Sequence, residues 1–325
     1  MNKKIFITGA TGFIGSHLCE MSVKKGFKVV GFDRYNSNYN LGWLEKSKYK
    51  KDINFIFGDI RDYDSVYKSM KGCNKVFHLA ALIGIPYSYV SPLAYVKTNV
   101  EGTYNVLEAA KNLNLKDIII TSTSEVYGSA KYLPINEKHP LNAQSPYAAS
   151  KISADQLALS YYKSFNLPIK IIRPFNTYGP RQSSRAVIPR IMLQCINKKN
   201  KKIILGNLSP TRDFNYVEDT CEAYFDVLKC NKLVGKTINV WSNTNISIEI
   251  LSKKIMKITD INFNLTKNKN IIRPKLSEVD NLRCDNSQIQ NLTKWKPKTN
   301  LDQGLKKTIR WIKDNYAEYS DKYEI

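Results

Sequence analysis

Three polar residues, Thr123, Ser124 and Glu125, follow a short apolar run in the segment TSTSEVYG, residues 121–128. The run before them, LKDIII, predicts a buried strand. Hydroxyl and carboxylate groups at the end of a strand can donate or accept protons, or position a reacting group. We therefore treat Thr123, Ser124 and Glu125 as candidate catalytic residues.

A tyrosine and a lysine stand four residues apart in SPYAASK, residues 145–151. At this spacing Tyr147 and Lys151 lie on one face of a helix, and Ser145 followed by Pro146 is a suitable cap and first residue. A tyrosine phenol has an ordinary pKa of about 10, so it is a poor base at neutral pH. A neighbouring ammonium would favour the phenolate, which makes Tyr147 a candidate base.

The segment ITGATGFIGSHL places Gly9, Gly12 and Gly15 between a predicted strand and a predicted helix. Glycines at this junction allow a tight turn and a close approach of the backbone to a pyrophosphate, which the first N–H groups of the helix then face. We expect Phe13 and Ile14, inside this motif, to belong to the same cofactor site. Asp33 ends the second predicted strand and is placed to accept hydrogen bonds from a ribose. These features predict NAD as cofactor, while Arg34 leaves NADP as an alternative.

Strands and helices alternate through the first half of the chain. The strand candidates lack polar alternation, as expected when both faces of a parallel sheet are covered: KKIFIT, KVVGF, INFIFG, KVFHLA, DIIITS and IKIIRP. Helical patterns are clearest at 13–26, 92–112 and 145–165. This order predicts an α/β fold with a Rossmann-like, doubly wound parallel sheet and a smaller, mixed α/β C-terminal part that binds the substrate. We expect residues 1–175 to form the dinucleotide-binding domain, with 220–240 returning to it, and 176–219 with 241–325 to form the second part.

Composition excludes several other classes of protein. The chain has 325 residues and a formal net charge of +22, but Lys and Arg are spread evenly, so we expect no nucleic-acid partner. The three His are far apart, and no two of the six Cys are closer than nine residues, which argues against a metal site and a CxxC pair. No apolar stretch is long enough for a signal peptide or a membrane span, so we expect a cytoplasmic protein without a membrane partner.

The motifs together resemble the extended short-chain dehydrogenase/reductase superfamily, and more narrowly its nucleotide-sugar epimerase/dehydratase branch. The motifs that carry this resemblance are TGATGFIG, HLAA (78–81), YAASK, RPFNTYGPRQ (173–182) and TRDFNYVED (211–219). The resemblance implies that Thr123, Tyr147 and Lys151 are the catalytic hydroxyl, base and lysine. It also implies homodimerisation through helices 92–112 and 145–165. The further cofactor-binding residues that it implies are Asp59 and Ile60 at the adenine, Leu79, Ala80 and Ala81, and Asn99, which supports Lys151 through a water.

Three reactions in this branch begin with oxidation at C4 of the sugar: 4-epimerisation, 4,6-dehydration and loss of a C6 carboxylate. Glu125 favours dehydration, because a carboxylate can take the C5 proton once C4 is a ketone. Most 4,6-dehydratases of the branch carry Thr-Asp-Glu, whereas this chain carries Thr-Ser-Glu, as UDP-glucuronate decarboxylases also do. Either Ser124 or Glu125 therefore remains open as the acid for the leaving group.

Four further stretches are similar to the nucleotide-linked N-acetylglucosamine 4,6-dehydratases of legionaminic-acid-type pathways, which also carry Ser before the Glu. They are YNSNYNLGWLE (35–45), residues 82–111, QSSRAVIPRI (182–191) and LSPTRDFNYVEDT (208–220). The expected reaction is the NAD-dependent conversion of UDP- or GDP-N-acetylglucosamine to its 4-keto-6-deoxy form. Asn176, Arg185, Arg212 and Arg273 are the expected substrate-binding residues. The alternatives are a decarboxylase, a 4-epimerase and, in a different class, a non-catalytic dinucleotide-binding regulator.

Overall fold

A computed structural model describes residues 3–197, 201–243, 245–268 and 274–319. Its strands are β1 (Lys4–Thr8), β2 (Lys28–Arg34), β3 (Ile53–Gly58), β4 (Lys75–His78), β5 (Asp117–Thr121), β6 (Ile169–Pro174), β7 (Asn176–Tyr178), β8 (Lys202–Leu205), β9 (Thr211–Tyr216), β10 (Thr237–Val240), β11 (Asn245–Ser247) and β12 (Asn264–Lys267). Its α-helices are α1 (Phe13–Lys24), α2 (Tyr63–Met70), α3 (Ile85–Val90), α4 (Pro92–Tyr95), α5 (Gly102–Asn112), α6 (Pro146–Phe165), α7 (Val187–Asn197), α8 (Val217–Lys229), α9 (Ile248–Thr259), α10 (Ser287–Leu292) and α11 (Leu301–Asp314).

Seven of these strands form one parallel sheet in the order β10-β6-β5-β4-β1-β2-β3. Helices cover both of its faces: α1 and α8 pack on one side, and α2, α5 and α6 on the other. Because both faces are buried, the strands are continuous apolar runs. From β1 the sheet continues in one direction with β2 and β3, and in the other with β4, β5, β6 and β10. In sheets of this kind ligands bind outside the carboxyl ends of the strands, at the point where the strand order reverses. The prediction of a Rossmann-like, doubly wound sheet is confirmed.

The remaining strands form two small sheets. One has the order β11-β9-β7, with β11 antiparallel and β7 parallel to β9, and the other pairs β12 with β8. Helices α7, α9 and α11 pack beside them, which gives the smaller mixed α/β part. After α8 the chain returns to the edge of the central sheet, where β10 pairs with β6. The exact domain boundaries remain a prediction.

Two of the three long helices follow the sequence prediction closely. Helix α1 ends at Lys24, two residues before the predicted end. Helix α6 begins at Pro146, and the Ser145 hydroxyl accepts a hydrogen bond from the Ala148 N–H at 3.1 Å, as expected of a cap.

The predicted helix over 92–112 is not uniform. Residues Val96–Glu101 form a π-helical turn between α4 and α5. Side-chain bonds stabilise this turn: the buried Asn99 amide exchanges hydrogen bonds with the Leu82 backbone, from Leu82 N–H to Oδ1 at 2.8 Å and from Nδ2 to the Leu82 carbonyl at 2.9 Å. Wider turns of this kind occur frequently at functional sites.

None of the helices in the described ranges has both the length and the apolar character needed to cross a lipid bilayer.

Candidate active site

A cleft of about 1040 Å³ opens at the carboxyl ends of the central strands and extends to the smaller part. This volume lies at the upper end of the range of ~300–1,000 Å³ that is usual for ligand pockets, so the cleft is large enough for an extended ligand such as a dinucleotide. The structure brings most of the predicted site residues together along its walls: Gly9, Gly12, Phe13, Ile14, Gly15, Asp33, Asp59, Ile60, Leu79, Ala80, Ala81, Thr123, Ser124, Glu125, Tyr147, Asn176, Arg185 and Arg212. Lys151 and Asn99 are buried, and Arg273 lies outside the described residues.

The glycine loop leaves no room for a side chain at Gly9 or Gly15. Gly9 has a φ of +68°, and a Cβ added there would lie 3.0 Å from the Ala80 nitrogen. A Cβ added at Gly15 would overlap the Gly9 carbonyl oxygen. Helix α1 follows directly, and Gly12 at its N-cap has no side chain to occupy the first N–H groups. This shape and these donors fit the pyrophosphate of a dinucleotide.

Two carboxylates lie farther along the cofactor side of the cleft. Asp33 accepts hydrogen bonds from Thr11, at 2.7 Å from its N–H and 2.6 Å from its hydroxyl, so the loop holds this carboxylate in place. Asp59 pairs with Arg61, whose guanidinium lowers the pKa of that carboxyl. The oxygens of both carboxyl groups line the cleft and can accept hydrogen bonds from ribose or adenine. Thr11 was not predicted, because its role depends on a residue 22 positions away.

A buried histidine fixes the cofactor-facing segment 79–81. His78 Nδ1 lies 2.8 Å from the Thr8 hydroxyl, and Nε2 lies 3.1 Å from the Thr103 hydroxyl. Thr103 donates its own hydrogen to the Asn99 carbonyl, so Nε2 must carry the proton and Nδ1 must accept from Thr8. The Thr8 oxygen is then free to accept from the N–H groups of Leu79 and Ala80, both at 3.0 Å.

Tyr147 is a buried phenol whose neighbours oppose its ionisation. Burial raises the pKa of Tyr147 well above its ordinary value, the Thr123 hydroxyl partly opposes this, and the charge of Glu125 raises the pKa further. Thr123 also accepts the Glu125 N–H at 3.3 Å, which leaves its hydroxyl hydrogen free to donate. The phenol is therefore protonated in the protein alone, and a cation bound in the cleft would lower the pKa of Tyr147.

Lys151 lies one helical turn from Tyr147 and is anchored to the neighbouring strand. Its ammonium donates to the Thr121 carbonyl at 2.6 Å. Burial lowers the pKa of Lys151, and the charge of Asp155 counteracts this effect. Asn99 Nδ2 donates to the Ser150 hydroxyl at 2.9 Å. The structure thus places Asn99 against the residue beside Lys151, while the water-mediated contact itself stays a prediction.

The substrate side of the cleft carries the predicted polar residues and one that was missed. Arg212 is mostly buried and pairs with Glu278 at 3.4 Å. Asn176 Nδ2 donates to the Asp213 carbonyl at 3.2 Å, and Arg185 is exposed at the cleft. Glu278 lines the same cleft, but no motif around it indicated a role, because its position depends on a distant strand.

A side pocket of about 300 Å³ adjoins the cleft and is lined by Gly84, Tyr87, Tyr95 and Arg185, among others. Burial raises the pKa of Tyr95 to about 12, against the effect of the Arg185 charge. The rings of Tyr95 and Tyr147 meet edge to face with 6.2 Å between centroids. The pocket therefore opens beside the candidate base.

Comparison with known proteins gives one family and several activities. The family described as GDP-mannose 4,6 dehydratase matches residues 6–308. A dTDP-D-glucose 4,6-dehydratase of Dictyostelium discoideum is 33% identical and aligns with 96% of this chain and 82% of its own length. A UDP-N-acetyl-alpha-D-glucosaminuronate decarboxylase of Bacillus cytotoxicus is 31% identical, over 97% of this chain and 99% of its own.

Solved structures agree with this match. The UDP-glucuronic acid 4-epimerase of Bacillus cereus, in complex with UDP-glucuronic acid and NAD, superimposes with a TM-score of 0.88 at 32% identity. The match covers 96% of this chain and 100% of that one. Similar proteins thus include a dehydratase, a decarboxylase and an epimerase.

Proposed function

Because the chain belongs to the extended short-chain dehydrogenase/reductase family of NAD-dependent nucleotide-sugar dehydratases and epimerases, we propose that it is a 4,6-dehydratase of a nucleotide-activated hexose. The product is the 4-keto-6-deoxy sugar. The substrate that we favour is UDP- or GDP-N-acetylglucosamine, on the sequence resemblance to dehydratases of legionaminic-acid-type pathways.

One observation carries the choice of dehydration: the Glu125 carboxylate lines the same cleft as Tyr147, and its charge acts on the Tyr147 phenol. An elimination needs a base at C5, and this carboxylate lies close to the group that would act at C4. Epimerisation needs no such base, since the keto sugar only rotates in the site before hydride returns to C4. The carboxylate therefore favours elimination.

The residues divide the proton transfers among them. Bound NAD supplies the hydride acceptor, and later the hydride donor, in the cleft beside Tyr147. Tyr147, ionised once the positive charge of the bound nicotinamide has lowered its pKa, accepts the proton of the C4 hydroxyl, and the Thr123 hydroxyl holds the same oxygen. Glu125 then takes the C5 proton, which is acidic beside a C4 ketone. Ser124, buried in the same turn, helps the C6 hydroxyl leave as water, or Glu125 delivers the proton that it has taken. The hydride then returns to C6, and C5 takes up a proton from Glu125 or the one that Tyr147 holds, which gives the 4-keto-6-deoxy sugar.

The nucleotide diphosphate belongs on the substrate side, where Arg212 and Arg185 line the cleft. Planar guanidinium groups pair well with phosphate oxygens. We extend the substrate-binding set to Arg273 on the sequence resemblance.

Decarboxylation is the second candidate, because the Thr-Ser-Glu triplet also occurs in decarboxylases and the relative from Bacillus cytotoxicus carries that activity in its name. Its substrate would bear a C6 carboxylate. Dehydration releases water from the sugar, whereas decarboxylation releases carbon dioxide.

We also propose that the protein is a homodimer through helices 92–112 and 145–165. Apolar side chains are exposed around these helices, with Leu93 62% and Phe165 52% accessible. Such clustered apolar surface is typical of an interface. All six cysteines are free thiols, which supports the cytoplasm as the compartment.

A single turnover on sugar nucleotides deuterated at C4 tests the reaction, with mass spectrometry and NMR of the product. Dehydration gives a product lighter by one water, with the label moved from C4 to C6. Tyr147→Phe should abolish turnover and retain NAD binding. Tyr178→Phe is the matched control, because it removes another buried tyrosine hydroxyl away from the cleft.

A label that remains at C4 in an epimerised sugar, or release of carbon dioxide from a glucuronate, would contradict dehydration. The sugar nucleotides tested should include UDP, GDP and dTDP sugars with and without the N-acetyl group, so that the same assay also identifies the substrate.

A further inference from the structure

Asp155 continues the row of buried residues that Tyr147 and Lys151 begin on α6. The three residues are spaced by four, so they lie along one face of the helix, and each is at most 7% exposed. Asp155 is completely buried. A buried carboxylate is costly without partners, so the partners of Asp155 indicate what holds it there.

The carboxylate of Asp155 binds the residue just before the catalytic triplet 123–125. Its Oδ2 accepts from the Ser122 hydroxyl at 2.7 Å and from Arg173 at 2.8 Å and 3.2 Å. Its other oxygen, Oδ1, is buried and meets no hydrogen-bond donor within the described ranges. All the bonds made by Asp155 therefore point towards Ser122 and Arg173.

Arg173 binds Tyr127, the second residue after the same triplet. Its Nη1 donates to the Tyr127 hydroxyl at 2.8 Å, and Tyr127 in turn donates to Asn239 at 2.8 Å. Residues Ser124–Tyr127 form a single 3-10 turn. The ion pair of Asp155 and Arg173 thus joins Ser122, before the turn, to Tyr127, at its end.

We propose that the Asp155–Arg173 ion pair is a positioning device that holds the segment 122–127, which contains the catalytic triplet, at both of its ends against α6. The bonds around the pair connect four parts of the chain: α6, the residue after β5, β6 and, through the bond from Tyr127 to Asn239, β10. Its two charged members are at most 3% exposed, so solvent does not screen their attraction. The kinetic effects expected of this device rest on the proposed function, whereas its effect on hydrogen exchange does not.

The pair also contributes to the electrostatics of the site. The charge of Asp155 raises the pKa of Tyr147 and that of Lys151. The other groups that act on Tyr147 are Thr123, Glu125 and Tyr95, and His78 faces Lys151 from β4. Since Asp155 acts on both residues in the same direction, its neutralisation lowers both pKa values.

The test uses three variants of the full chain. Ser122→Ala and Tyr127→Phe each remove one hydroxyl of this device without exposing a charge, so they keep the fold. Asp155→Asn removes the charge. Ser252→Ala and Tyr178→Phe are the matched controls, since each removes a buried hydroxyl that bonds a backbone carbonyl elsewhere. The readouts are amide hydrogen exchange at residues 122–128 and the pH profile of C4 oxidation, which all three candidate reactions share.

Ser122→Ala and Tyr127→Phe should speed exchange at 122–128 and lower turnover by about 10- to 100-fold, as small misplacements of catalytic groups do, with KM little changed. Asp155→Asn should also move both limbs of the pH profile to lower pH, whereas the two hydroxyl variants should leave the limbs in place. Unchanged exchange in both hydroxyl variants, or an unmoved pH profile in Asp155→Asn, overturns the inference. If the wild type oxidises no sugar nucleotide, the proposed function fails, and hydrogen exchange alone still decides this inference.

Discussion

His78 should make the fold sensitive to mild acid. Burial, together with the charge of Lys151, lowers the pKa of His78 from 6.5 to about 3. A histidine with a lowered pKa in the folded state stabilises that state fully above the unfolded pKa of 6.5, and this contribution is lost as the pH falls towards 3. The loss begins near pH 6.5, because the unfolded chain takes up the proton there, well before the folded protein does.

The size of the effect follows from the two pKa values. At pH 5 an unfolded histidine is almost fully protonated, while His78 in the folded protein remains neutral. Linkage then gives a loss of about 2 kcal/mol of unfolding free energy between pH 7 and pH 5, and about 5 kcal/mol for the complete shift. Other groups also titrate in this range, so the measured quantity is the difference between the wild type and His78→Gln.

Urea unfolding followed by tryptophan fluorescence at pH 7 and pH 5 measures this difference. His78→Gln should be less stable than the wild type at pH 7, because it disturbs the bonds to Thr8 and Thr103. Its further loss on going to pH 5 should be smaller than that of the wild type by about 2 kcal/mol, since glutamine takes up no proton. Equal losses in the two proteins would refute the reasoning, because His78 would then not be held neutral.

Four other outcomes are expected. Gly15→Ala should weaken NAD binding about 10- to 100-fold in calorimetry, because the added Cβ overlaps the loop backbone; an unchanged Kd would contradict the fit of this loop to the cofactor. Glu125→Gln should slow exchange of the C5 hydrogen with solvent by about 10²- to 10⁴-fold. Because it removes a charge that raises the pKa of Tyr147, it should also move the acid limb of C4 oxidation to lower pH; equal loss of both steps would argue against separate roles. Arg212→Gln should raise KM about 10- to 100-fold with kcat little changed, as expected when a charge-assisted bond to phosphate is lost, and an unchanged KM would place the diphosphate elsewhere. Leu93→Glu should give a monomer in sedimentation velocity, and a persistent dimer would rule out this surface.

Local patterns were sufficient to predict much of the fold. The apolar runs, the glycine loop and the Ser145–Pro146 cap depend on neighbouring residues, and the structure places all three as expected. The comparisons support NAD and the family, which the motifs had indicated. They leave open the nearness to legionaminic-acid-type dehydratases.

The residues that the sequence did not reveal depend on contacts between distant positions. Thr8 meets His78 across 70 positions, and Arg212 meets Glu278 across 66. No periodicity or spacing signals such pairs, because they arise only when the sheet assembles. Asp155 could have been noticed, since it repeats the four-residue spacing of Tyr147 and Lys151, but its partner on β6 was not visible in the sequence.

The π-helical turn at Val96–Glu101 determines how far α5 is rotated relative to α4 about the helix axis. Successive residues of an α-helix are about 100° apart around the axis, so one extra residue in a turn rotates everything that follows by that angle. Leu93 and Tyr104, on either side of the turn, are exposed, and Tyr95, Asn99 and Thr103 are buried. Loss of one residue from this turn would therefore rotate Thr103 and the rest of α5 by about 100° relative to Tyr95, and the two buried side chains would lose their present relative orientation.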